Sequence, residues 1–222
     1  MNGFSVIEVK QLHDILLSVE EMHPDSLRIG IDGTVMAGAV PVLLRQLHVD
    51  FPALRWSLHE SGPEQQFDAL CRGAIDIGIW RGKPIDPERL WQHRLCQQLY
   101  GREGTALALP KGHRLARRNG IALSDLADET LLDLPASAAS LPTLMAMVGS
   151  GIGLALVPSS SSSIVFPNVA IRSLHGAPST NLYLAHSIDS QSSGIQPFLE
   201  VLNKERGVSP FCASFPPPSK EL

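Results

Sequence analysis

Two spacings of apolar residues alternate along this chain, one near two and one near 3.6. The run LRIGID (27–32) is a short buried-strand pattern. After it, Val40, Leu43, Leu44, Leu47 and Phe51 recur at helical spacing. Pro41 falls in the first turn of that helix, where a missing N–H is tolerated, and Pro52 closes it. LRWSLHES (54–61) sets Leu54, Trp56 and Leu58 on one face, which predicts a second strand. GPEQQFDALCRG turns Phe67, Leu70 and Cys71 inward and stops at Gly73, which predicts a helix. IDIGIW is a third strand, with Asp76 set inside an otherwise apolar run. The order β-α-β-α-β with short connections implies an α/β fold with a parallel sheet covered by helices. Such sheets bind ligands where strands end and helices begin.

The second half continues the alternation. RLCQQLYG and TALALP read as strands, and KGHRLARRNGIALSDLAD as a turn and a short helix with Ser124 as N-cap. ETLLDL is a strand, LPTLMAMVGSG a helix and IGLALVP the strand after it. SSSSS (159–163) reads as a flexible loop. VAIRSL and NLYLAH are two further strands, and GIQPFLEVLNKE is a closing helix. Ahead of all this, Val6, Val9, Leu12, Ile15, Leu16 and Val19 mark one face of a helix over 5–22, stopped by His23-Pro24-Asp25. The tail from Gly207, with Pro216, Pro217 and Pro218, has the composition of a disordered end.

The chain has 222 residues, of which 44% are hydrophobic and only 5% aromatic, so its core is built from aliphatic side chains. Its formal charge is −4, and its basic residues cluster no further than Arg117-Arg118, which disfavours direct DNA contact by this chain. Cys71, Cys96 and Cys212 form no C-x-x-C pair, which fits a reducing compartment. The N-terminus carries acids where a signal peptide needs an apolar run, and no stretch has membrane-spanning length and hydrophobicity. The expectation is a cytoplasmic protein without membrane contact.

Candidate chemistry is sparse. GSGIGLALVP places its glycines after a helix and before a strand, the reverse of the dinucleotide fingerprint, so the glycines read as a helix stop with close helix–strand packing. No G-x-S-x-G occurs, and the eight histidines form no metal-type pair. Lys83 and Lys111 lie in loops without evident partners. The expectation is therefore no enzyme, no metal and no cofactor. The turn DGTVMAG (32–38) combines free helix N-terminal N–H groups with the Thr34 hydroxyl, and HESGPEQ (59–65) adds Ser61 and the Gly62 amide. Two such turns at one sheet edge suggest a pocket for a small anion.

Several segments together resemble the effector-binding domain of LysR-type transcriptional regulators. They are LRIG, VPVLLRQLHVDFPALRWSLHE, FDALCRGAIDIGI, LALPKGHRLA, LSDLADETLL and VGSGIGLALVP, in the family's order over roughly residues 27–205. The resemblance implies a periplasmic-binding-protein-like fold: two α/β subdomains joined by a hinge, with an effector in the cleft. It divides the chain into a linker-like helix (1–26), subdomain I (27–102 and 159–205), a shortened subdomain II (103–158) and a tail (206–222). The chain leaves subdomain I near Gly101–Gly104 and returns near Pro158, which sets the serine run close to the hinge. By position, Thr34, Ser61 and Gly62 are pocket residues, and Trp80 and Arg81, just past the third strand, line the cleft. Asp76 becomes a structural acid at a strand start, reached by backbone donors and water.

Two departures from the family pattern stand out. No winged helix-turn-helix is seen ahead of the helix at 5–22. Between LLDLPAS and LPTLMAMVGSG the family places about one more β-α unit, on the order of 30–40 residues; here ASAAS (136–140) is a bare join. The expected function is the effector-binding and dimerising portion of a LysR-family regulator that senses a small, anionic metabolite. Its partner is a second copy or a full-length regulator, with the helix at 36–51 in the dimer interface. The alternative is a solute-binding protein serving a transporter.

Overall fold

The computed structural model describes residues 26–118, 120–133 and 140–206. The helix expected at 5–22, the join at 136–139, Cys212 and the tail beyond 206 lie outside the described residues.

Two five-stranded sheets carry the fold. The first is ordered β2-β1-β3-β10-β4, from β1 (Ser26–Ile31), β2 (Arg55–Glu60), β3 (Ile77–Gly82), β4 (Leu95–Glu103) and β10 (Thr180–Ser187). β1 runs parallel to both β2 and β3, while β10 is antiparallel to its neighbours β3 and β4. Helices α1 (Ala39–Asp50) and α5 (Ile195–Arg206) cover one face. There Val40, Leu43, Leu47, Phe198, Val201 and Leu202 pack on Leu27, Ile29, Ile77 and Ile79. Each such side chain contributes roughly 1.5–3 kcal/mol by leaving water. Helices α2 (Pro63–Cys71) and α3 (Pro87–Gln92) cover the other face with Phe67, Leu70 and Leu90. Pro41 sits in the first turn of α1, as its missing N–H requires.

The second sheet is ordered β6-β9-β5-β8-β7, from β5 (Thr105–Pro110), β6 (Ile121–Ala122), β7 (Leu131–Leu132), β8 (Leu154–Pro158) and β9 (Val169–His175). Helix α4 (Leu141–Gly149), capped by Ser140, packs Leu144, Met145 and Val148 on one face. Leu115, Ile121 and Leu126 cover the other. β4 passes to β5 at Gly104. The return differs from the expected crossing at Pro158. Val169–His175 pairs with β5 and β6, so the second lobe extends to His175 and the chain returns in the turn before Thr180. β9 alternates buried residues on both faces as any strand of this sheet does, so its pattern alone assigns it to neither lobe.

Two local expectations change. Ser124 is no N-cap: it lies inside a 3-10 turn (Leu123–Leu126), and the Asp125 carboxylate accepts the Ala122 N–H instead. The glycines of GSGIG are explained by crowding. A Cβ on Gly149 would lie 2.7 Å from the Pro167 carbonyl oxygen, and one on Gly153 2.8 Å from that of Thr130. Gly151 has φ +80°, which closes the helix.

Asp76 has a definite partner. Its carboxylate, 5% exposed, accepts the Arg28 backbone N–H at 2.7 Å and the guanidinium Nε and Nη2 at 3.1 and 2.8 Å. The Asp76 N–H donates to the Arg28 carbonyl at 2.8 Å. The acid closes the backbone ladder where β3 begins and ties it to β1, a structural role with an arginine in place of water.

Candidate functional site

Parallel pairing places the ends of β1, β2 and β3 at one edge of the first sheet. Ile31 lies opposite Glu60, and the Ser61 N–H donates to the Ile31 carbonyl at 2.9 Å. The turns holding Thr34 and Ser61 are therefore neighbours at one mouth. After β1 the chain winds into a 3-10 turn (Gly33–Ala37) capped by Asp32, whose carboxylate accepts the Thr34 N–H at 2.9 Å. Asp32 is thus turned back on its own backbone.

The serine run is an ordered 3-10 turn (Ser159–Ser163) and not a flexible loop. It sits at the junction of the lobes. The Ser159 N–H donates to the Gly104 carbonyl at 2.9 Å, and the Ser163 hydroxyl to the Ala37 carbonyl at 3.1 Å. The Ser160 N–H donates to the Glu103 carboxylate in a very short bond. A Cβ on Gly38 would lie 3.2 Å from Ser160 Oγ and 3.7 Å from Glu103 Oε2, so the two turns are in close contact here. Burial pushes the Glu103 carboxyl up, but Ser160 and the Arg81 charge outweigh it and hold it below its ordinary value.

The five expected pocket residues fare differently. Thr34 Oγ1 is enclosed and meets no hydrogen-bond partner among the described residues. Arg81 is 7% exposed, its Nη1 lies 2.8 Å from Glu103 Oε2, and its Nε is enclosed without an acceptor among the described residues. Ser61 is at the mouth, but its N–H and its carbonyl are both used within the fold. The Gly62 amide is occupied by the Gln65 side chain at 2.9 Å. Trp80 does not line the cleft. It is 0% exposed, stacks on Tyr183 and donates its indole N–H to the Lys83 carbonyl at 3.2 Å. Alternation along β3 explains this, because Trp80 and Arg81 face opposite sides of the sheet. The expectation of an anion-favouring mouth also changes. The Glu60 carboxylate lies against Gly33 so closely that a Cβ there would collide with it.

One residue went unnoticed in the sequence. Gln66 is fully buried, and its amide donates to the Ser61 carbonyl at 2.8 Å and the Ile79 carbonyl at 3.3 Å. It rests over Gly30 and Gly78, paired glycines of β1 and β3. The available signal was a glutamine four residues before Leu70 on the apolar face of α2.

Comparison with known proteins agrees with this architecture. The family profile described as LysR substrate binding domain matches residues 21–139. The HTH-type transcriptional regulator BenM of Acinetobacter baylyi is 26% identical over 207 residues, 81% of this chain and 66% of that protein. The chain thus spans about two thirds of that relative's length. A crystal structure of the effector-binding domain of a BenM variant is 25% identical with a TM-score of 0.68, covering 84% of this chain and 98% of that one. The BenM effector-binding domain with its effector benzoate is 26% identical with a TM-score of 0.65, covering 86% and 96%. These relatives are regulators and neither enzymes nor transporter components, which favours the regulator reading over the solute-binding one. The chain belongs to the LysR substrate-binding-domain family, the effector-binding part of LysR-type transcriptional regulators.

Proposed function

We propose that the crevice between the two lobes binds a small polar metabolite and that binding shifts the angle between the lobes. The observation that carries this reading is the pair of enclosed, unsatisfied donors, Thr34 Oγ1 on the turn after β1 and Arg81 Nε near the end of the neighbouring strand β3. Buried polar atoms are nearly always satisfied, so such a pair marks a place for a ligand's acceptor. With Asp32, Glu60 and Glu103 nearby, the acceptor is at most a single carboxylate, and the rest of the effector carries donors. A ligand that orders the Thr34 turn acts on Gly38, which abuts Ser160 and through it Glu103 at the crossing. The ligand then selects one lobe arrangement by its differential contacts.

Calorimetric titration with a panel of organic acids and amino acids tests the site. A genuine effector loses at least about tenfold in affinity in a Thr34→Ala, Ser61→Ala double variant. An acid that binds the variant as tightly as the parent refutes this crevice as its site.

We further propose that α1 forms part of a dimer interface, with a second copy or a full-length regulator, and that DNA contact belongs to a separate DNA-binding domain. Val42 and Val49, two turns apart on α1, are 53% and 59% exposed and share one face. Sedimentation showing a strict monomer at micromolar concentration overturns the dimer.

A further inference from the structure

The outer edge of β9 is nearly open. Val169–Ser173 pairs with β5 on one side, while among the described residues β6 pairs the other side only at Leu174 and His175. Beside this edge is a cavity of about 770 Å³, within the range of small-molecule sites. Lys111, Arg117 and Arg172 line it, and among the described residues no Asp or Glu does. The flanking arginines are neutralised, Arg114 by Glu129 and Arg118 by Asp125. Lys111 and Arg117 have no ion-pair partner among the described residues. Arg172 is fixed in place: its Nε donates to the Ala116 carbonyl at 2.8 Å and its Nη1 to the Ile171 carbonyl at 2.9 Å. That second bond occupies a backbone acceptor of the edge strand, which opposes docking of an added peptide strand. The remaining wall is apolar, from Ile164, Phe166 and Ile171, with Val165 at the rim 91% exposed. Cations alone on a sheet edge are common guards against strand addition. That task requires neither a cavity nor an apolar wall beside the cations.

We propose that this cavity is a second ligand site, for a small organic monoanion with an apolar body. Its carboxylate sits among Lys111, Arg117 and Arg172, and its body rests on Ile164, Phe166 and Ile171. The site lies in the second lobe, apart from Thr34, Ser61 and Arg81. It also touches Ser162 of the serine turn, so its occupancy bears on the lobe junction.

Amide chemical-shift titration of the ¹⁵N-labelled chain tests the proposal, with benzoate as the simplest apolar carboxylate and benzyl alcohol as its neutral counterpart. Benzoate shifts the Val165, Phe166, Ile171 and Arg172 amides saturably, with a Kd of about millimolar, and benzyl alcohol does not. Lys111→Gln with Arg117→Gln, both exposed, weakens this about tenfold. Thr34→Ala with Ser61→Ala leaves it unchanged. Benzoate that leaves those amides unmoved overturns the site. So does an effect equal in the Lys111/Arg117 variant, equal with the alcohol, or abolished by the Thr34/Ser61 variant.

Discussion

Replacing Asp76 with alanine isolates the chief polar tie of the first sheet. The change removes three accepted hydrogen bonds, from the Arg28 backbone N–H and from two guanidinium nitrogens. Breaking a buried ion pair from one side costs about 3–5 kcal/mol when the remaining charge stays buried. Here the Arg28 side chain is 36% exposed and can turn to water, so its charge is not stranded. The Arg28 N–H remains inside the sheet without an acceptor, which costs about 1–3 kcal/mol. The expected loss is therefore about 3 kcal/mol, a large part of a typical 5–15 kcal/mol stability. Asp76→Asn keeps one acceptor for the backbone N–H and loses about half as much. Arg28→Met removes the guanidinium bonds but leaves the Asp76 carboxylate buried with the Arg28 N–H as its remaining donor, and costs about 3 kcal/mol as well. Urea denaturation at constant m reads all three. Asp76 lies at the amino end of β3, opposite the crevice edge, so the folded fraction of each variant keeps its effector affinity. An Asp76→Ala loss below about 1 kcal/mol, or one no larger than that of Asp76→Asn, refutes the claim that the acid serves the backbone first.

Gln66→Leu removes the donor to the Ser61 carbonyl, while the Ile79 carbonyl keeps the Asp32 N–H; it destabilises by about 1–3 kcal/mol and loosens the Ser61 turn, measured as faster amide exchange there. Gly153→Ala drives a methyl group into the Thr130 carbonyl and costs about 1–3 kcal/mol in the same urea assay, whereas substitution at exposed Gly112, which meets nothing, is tolerated. Stability falls in two steps on acidification. Burial lowers the His186 pKa below its ordinary 6.5, only partly offset by the Ser187 carbonyl, so the unfolded chain takes up that proton first as pH drops through 6.5. Glu103, held below 4.5, stabilises fully above that value and loses its contribution below it. His186→Gln removes the upper step and Glu103→Gln the lower one; a urea midpoint unchanged from neutral pH through the His186 range contradicts the first.

Much of the first lobe was legible because its signals are local. Pro41, Pro52 and Gly73 punctuate helices by their own backbone chemistry, and alternation in LRWSLHES and the run IDIGIW mark strands whatever they pack against. Parallel order then follows from short β-α-β connections, which bring Thr34 and Ser61 to one edge. Helix α3 was not foreseen, although Asp86-Pro87 supplies both its cap and its first turn, because six residues give too little periodicity to register. The site's errors have separate physical sources. Whether Trp80 or Arg81 faces the crevice depends on which side of β3 the second lobe crosses, and alternation alone fixes that the two differ, not which is which. The Gly62 amide looked free because a capping glutamine three residues on is visible only once the helix start is placed. The serine run looked mobile because small hydroxyl residues are equally suited to solvent and to a tight junction. What makes it a junction is Glu103, Gly38 and Ala37, drawn from sequence positions more than fifty residues away, and no local pattern in the chain encodes that meeting.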